Sequence, residues 1–125
     1  KLFRMKKTVI IQFDVEGFHN YPTPPKEVEF LKFRHRHTFR VKCGYKVSHD
    51  DREKEIFICR DEVIKYLSYQ YGTPCEFNNM SCEMIASEIL QKYKNNQMIW
   101  CEVWEEETNL ILKCTSQELR VILMP

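Results

Sequence analysis

The chain has 125 residues, with 19 Lys and Arg against 18 Asp and Glu, for a formal charge of +1. That length fits one domain, residues 1–125, with a moderate core. The near-neutral balance excludes a protein whose affinity comes chiefly from neutralising nucleic-acid phosphates.

No apolar run is long enough to cross a bilayer as a helix, and no charged, apolar and cleavage-site regions of a secretory leader are visible, so the expected location is cytoplasmic. The six cysteines, Cys43, Cys59, Cys75, Cys82, Cys101 and Cys114, are scattered without a C-x-x-C and are expected to be mostly reduced thiols. Met5-Lys6-Lys7 reads as a natural start, which would make Lys1 to Arg4 a cloning remnant and residues 1–6 a remnant or flexible end.

From Lys7 to His19, the apolar Val9, Ile11, Phe13 and Val15 alternate with Thr8, Ile10, Gln12, Asp14 and Glu16, the period of a strand. His19 shares the parity of the apolar set, unless Gly17 marks a bulge that shifts the phase. Asn20 to Glu29 holds Pro22, Pro24 and Pro25 and reads as a loop, where a ligand-covering segment could sit. Phe33 to Val47 is a second strand. Its odd positions, Phe33, His35, His37, Phe39, Val41, Cys43, Tyr45 and Val47, are apolar or imidazole, and its even positions are mostly cationic.

The run His49-Asp50-Asp51-Arg52-Glu53-Lys54-Glu55 reads as a charged turn. Ile56-Phe57-Ile58 leads into a helix over 60–71, with Asp61 and Glu62 in its first turn, Val63, Ile64 and Leu67 on one stripe, and Gly72 as its stop. A loop follows from Thr73-Pro74 through Asn78-Asn79. Ser81 caps a second helix with Glu83 near its start and Ile85, Ile89, Leu90 and Tyr93 at helical spacing, ending at Asn95-Asn96. Ile99, Cys101, Val103 and Glu105 form the inner row of a third strand. Leu110 to Lys113 returns as a fourth across a turn at 106–109, and Leu119 to Met124 adds a short edge strand. The order ββααββ predicts α+β, a four-stranded antiparallel sheet with two helices on one face.

Three neutral imidazoles from adjacent strands, His19, His35 and His37, are the right chemical type for zinc. Three protein ligands with one open position is the pattern of a catalytic or substrate-binding centre. The alternative is a set of core histidines satisfied by backbone carbonyls. Glu105 falls on the inner side of its strand, where burial raises a carboxyl pKa unless a donor reaches it, and where a carboxylate can accept paired N–H bonds from a heterocycle edge. Its other reading is a strand end reaching solvent beside Glu106 and Glu107. Arg34, Arg36, Arg40 and Lys42 face Asp14, Glu16, Glu102 and Glu106, which cross-strand pairing explains without a ligand. Trp100 and Trp104 share that side as an interface-like aromatic pair. His49 and Asp50 are the remaining acid–base candidates.

These residues together resemble the tunnelling-fold (T-fold) family of 6-pyruvoyltetrahydropterin synthase and 6-carboxytetrahydropterin synthase, over Val9 to Lys113. Gly17-Phe18-His19 resembles the histidine that ends the family's first strand, and His35-Arg36-His37 its H-G-H motif. Met80-Ser81-Cys82-Glu83-Met84-Ile85-Ala86 resembles the segment opening its second helix, and Glu105 its ring-gripping glutamate. The resemblance implies zinc on His19, His35 and His37, and a pterin-, purine- or nucleotide-like ligand held by Glu105 and Glu83. It also implies homotrimers or homohexamers closing a barrel, with sites between subunits.

Three motifs depart from the family. The proton-abstracting cysteine is replaced by Leu31, the Asp-His pair by Thr73-Pro74, and the D-F motif falls near Cys59-Arg60. Each lost acid–base group removes about two to four orders of magnitude in rate. Cys43, six residues past His37, lies roughly 20 Å along the strand and is a poor substitute. The expectation is therefore a zinc protein that binds, sequesters or senses such a ligand without synthase turnover. The alternative is a zinc-dependent synthase or lyase with altered catalytic residues, in which His49 or Asp50 relays the proton.

Overall fold

The computed structural model describes the backbone of residues 6–107, 110–117 and 120–124, and side chains through residue 106. Lys1 to Arg4, the turn residues Thr108 and Asn109, Leu119, and the side chain of Cys114 lie outside the described residues.

Strands β1, Lys7–His19, and β2, His35–Val47, form an unbroken antiparallel ladder from Lys7↔Val47 to His19↔His35. Alternation decides its faces. Ile11 and Phe13 on β1 and Phe39, Val41, Cys43, Tyr45 and Val47 on β2 are buried, whereas the even residues Thr8, Ile10, Gln12, Asp14 and Glu16 are exposed. Within the expected proline loop, Lys26–Lys32 coils as a 3-10 helix with no buried residue. The loop is tied to the sheet end by Tyr21 N–H donating to Leu31 O at 2.8 Å and Asn20 N–H to Asn78 O at 2.8 Å.

Helix α1, Ile56–Tyr71, begins one turn earlier than 60–71. The reason is Glu55, whose carboxylate accepts the Ile58 N–H at 3.0 Å and caps the helix, so that Asp61 and Glu62 fall in the second turn. Its end at Gly72, with φ of 88°, is as expected. Helix α2, Cys82–Tyr93, is capped by Ser81, whose Oγ accepts the Met84 N–H at 3.2 Å. It buries Cys82, Ile85, Ala86, Ile89 and Leu90.

The segment read as a loop after Thr73-Pro74 contains a strand, β3, Cys75–Asn78, which pairs in parallel with β1. Strands β4, Met98–Glu107, β5, Leu110–Gln117, and β6, Arg120–Met124, complete a six-stranded sheet in the order β3-β1-β2-β4-β5-β6. The architecture is α+β, as expected, but the sheet is mixed. The expected four-stranded antiparallel sheet lacks β3 because four residues flanked by proline and the Asn78-Asn79 turn signal give too short a pattern to register.

Both helices contribute to one hydrophobic core with the inner residues of β1, β2 and β4; α1 packs over β1 and β3, and α2 over β4 to β6. One bulge disturbs the expected pattern. Tyr45 pairs with Met98 and Gly44 with Trp100, so Ile99 is the extra residue, and Met98 rather than Ile99 is buried. A Cβ on Gly44 would lie 2.3 Å from the Trp100 ring, so the indole occupies the space above that glycine. Trp104 is buried on the same outer face, whereas Trp100 is half-buried over Gly44. Among the described residues no helix is long and apolar enough to cross a membrane.

Candidate metal centre

The ladder register brings the histidines together. His19 at the end of β1 faces His35 at the start of β2, and His37 stands opposite Gly17. Strand pleat puts all three on the inner face. Ring centroids are 4.6 Å apart for His19 and His35, 4.8 Å for His35 and His37, and 5.3 Å for His19 and His37. One potential ligand atom from each lies within 4.8 Å of the other two. Phe39 forms the floor, edge-to-face with His19 at 5.0 Å and His37 at 5.7 Å, and rests on Phe77 at 5.0 Å.

Gly17 makes this floor possible. A Cβ there would sit 2.9 Å from the Phe77 ring, 3.1 Å from Cys75 O and 3.1 Å from the Phe39 ring. The bulge weighed at Gly17 is not present in the β1–β2 ladder. The irregularity falls on the β3 side, between Phe18 and His19, so the inward parity of His19 is kept.

Ring orientation follows from the backbone. His19 Nδ1 donates to Met80 O at 2.9 Å, and His35 Nδ1 donates to Phe33 O at 2.8 Å. A carbonyl only accepts, so both Nδ1 atoms carry hydrogen and the neutral rings keep their lone pairs on Nε2. The carbonyls hold Nδ1 of His19 and of His35 and leave Nε2 of both rings turned toward the cluster, so backbone satisfaction of these rings does not by itself decide against a metal. A metal-ligating histidine is oriented in this way by a partner on its second nitrogen.

Glu105 reaches the same point from β4, where it pairs with Phe39. Its Oε2 lies 3.1 Å from His19 Nε2 and 3.3 Å from His37 Nε2, with 15% of its side chain exposed. It faces inward and is not a solvent-reaching strand end. Burial pushes the carboxyl pKa up, but the His19 bond and the charges of His37, His19 and His35 outweigh it, leaving the group below the usual carboxylate value. Burial likewise pushes His19 down, and the Glu105 bond, the Met80 carbonyl and the Glu105 charge together raise it above the ordinary imidazole value.

Cys82 was not singled out by sequence pattern. As the first residue of α2 it is buried, and its Sγ lies 3.9 Å from Glu105 Oε2. The usable signal was Ser81, since a cap at that position fixes the next residue at a helix N-terminus. Glu83 is half-buried in the first turn of α2. His49 and Asp50 lie at the opposite end of the ladder, in an exposed turn. His49 Nε2 is 3.6 Å from Glu53, and Asp50 is 3.3 Å from Lys7 Nζ. Leu31 offers its carbonyl to Tyr21, and Thr73 hydrogen-bonds through its hydroxyl to Ser68 on α1.

On the outer face the expected charge pairing is present. Arg40 spans Asp14 at 3.4 Å and Glu106 at 2.6 Å, and Arg36 meets Glu16 at 3.2 Å. Arg34 departs from that pairing by forking onto Glu76 of β3 at 2.9 and 2.6 Å. These exposed pairs contribute little stability each. The five cysteines with described side chains are free thiols, as expected. No protein-family model matches the sequence, and no curated protein matches it.

Proposed function

We propose that this chain is a divergent T-fold protein that binds one zinc ion through His19, His35 and His37 and holds a pterin-, purine- or nucleotide-like heterocycle beside it. The observation that carries the reading is the pair of carbonyl bonds that fix His19 and His35 with Nε2 turned toward the cluster, whose ligand atoms lie within 4.8 Å of one another. These side chains fit the metal by donor type and by orientation. When bound, zinc supplies a Lewis acid that polarises a ligand oxygen or nitrogen. The chain's own residues do the rest. Phe39 excludes water from below, Met80 and Phe33 hold the rings, and Glu105 accepts hydrogen bonds from a ring edge.

Synthase turnover is not part of this function. Leu31 and Pro74 carry no transferable proton at the positions where the resembled family keeps its base and dyad. The protein thus sequesters or senses its ligand, and in this reading it does so as a homotrimer or homohexamer with sites between subunits.

Native mass spectrometry of the purified chain, paired with metal analysis, tests the proposal. The expected result is a trimer or hexamer with one zinc per chain and a bound or added heterocycle that is retained. Monomeric chains that hold no zinc after loading and retain no pterin or purine from a panel would overturn it.

A further inference from the structure

Glu105 stands where a fourth metal ligand would stand. Zinc ligands at 2.0–2.2 Å define a tetrahedron whose edges are about 3.3 Å or slightly longer. The Oε2 contacts to His19 Nε2 and His37 Nε2, 3.1 and 3.3 Å, come within about 0.2 Å of such an edge. His19 Nε2 is also the lone-pair nitrogen of its neutral ring, because Nδ1 spends its hydrogen on Met80 O. A single cation among the three rings would lie within reach of both nitrogen–oxygen pairs and of His35 as well.

We infer that, in the zinc-loaded protein without its organic ligand, Glu105 is itself bound to the metal. This makes a closed three-histidine, one-carboxylate set, from which an arriving heterocycle must displace the carboxylate. The inference rests on the zinc reading above and deepens it. The same oxygen that closes the metal site becomes, once displaced, the acceptor for the ring edge. Zinc occupancy and heterocycle binding are therefore coupled through one side chain, and a closed site has no open position for solvent. Two neighbours limit where the carboxylate can go, Phe39 opposite it on β2 and Cys82 Sγ at 3.9 Å.

Cobalt(II) replacing zinc in the full chain reports its own coordination through its visible absorption bands. The test compares the wild type with Glu105→Gln, which keeps the side chain's shape, and follows zinc affinity by chelator competition. The expected result is a four-coordinate band envelope in the wild type that changes in the variant, with zinc affinity falling about tenfold or more. An unchanged envelope, even with weakened affinity, would place Glu105 outside the coordination sphere and overturn the inference while leaving the zinc reading intact. A wild type that takes up neither cobalt nor zinc overturns both. Should Glu105→Gln fail to fold, infrared difference spectra of the wild type decide. Zinc addition should shift a carboxylate stretching band, and no shift overturns the inference.

Discussion

The two ends of the β1–β2 ladder carry the same residue types and put them to different uses. At one end His19, His35 and His37 converge with Glu105 over Phe39; at the other, His49 adjoins Glu53 in an exposed turn. The difference lies in what the remaining atoms are bonded to. Glu53 accepts from Ser48 N–H at 2.8 Å, Ser48 Oγ at 2.9 Å, His49 N–H at 3.3 Å and Gln97 Nε2 at 2.6 Å, so its carboxylate is consumed as a clasp between the turn and the start of β4. His49 Nδ1 accepts from Asp51 N–H at 3.1 Å. At the triad the Nδ1 bonds of His19 and His35 go to carbonyls, so their Nε2 atoms are turned into the shared space that Glu105 also enters, 3.1 Å from His19 Nε2. A histidine beside an acid is thus a site only when the backbone has oriented the ring and left its lone pair in a shared space.

Removing the floor should disturb the triad end most severely. Phe39 is fully buried and underlies two of the histidines, so Phe39→Ala is expected to cost about 3–5 kcal/mol in denaturant unfolding. A loss below about 1 kcal/mol would mean that the triad does not rest on a packed aromatic layer. Gly17→Ala comes next. Its new Cβ meets two rings and a carbonyl at 2.9–3.1 Å, and overpacking of this kind is expected to lower stability by about 1–3 kcal/mol. Ser81→Ala removes the cap that holds Met80 and Cys82 at the metal end, for about 1 kcal/mol.

The smallest effect belongs to the clasp end and depends on pH. Hydrogen bonds from Ser48, Gln97 and His49 hold the Glu53 carboxyl down to about 2. A depressed folded pKa stabilises above the ordinary carboxylate range and is lost as pH falls from about 4 toward 2. The melting temperature of the wild type should therefore exceed that of Glu53→Gln at neutral pH, and the gap should narrow steadily in acid. A gap independent of pH would remove the clasp interpretation.

Much of this contrast was legible in the sequence, because it rests on parity. His19, His35, His37 and Glu105 share their inner phase with apolar neighbours, and Ser81 and Gly72 mark helix ends by side-chain chemistry. What escaped was non-local or short. β3 is four residues long and gains its identity from pairing with β1. The bulge at Ile99 depends on Trp100 filling the space over Gly44, and Gly17 serves close packing instead of a bulge. The Glu55 cap moved the start of α1, because a glutamate in a charged run gives no boundary signal of its own. Cys82 entered the site through the approach of α2 to β4, which no spacing encodes.

Zinc titration of the metal-stripped chain, with His37→Ala and His49→Ala compared side by side, decides whether the triad is the metal site. One zinc per chain is expected for the wild type and for His49→Ala, with an affinity at least about a hundredfold weaker in His37→Ala. Equal zinc binding by His37→Ala and the wild type, or none by either, would contradict that role for the triad.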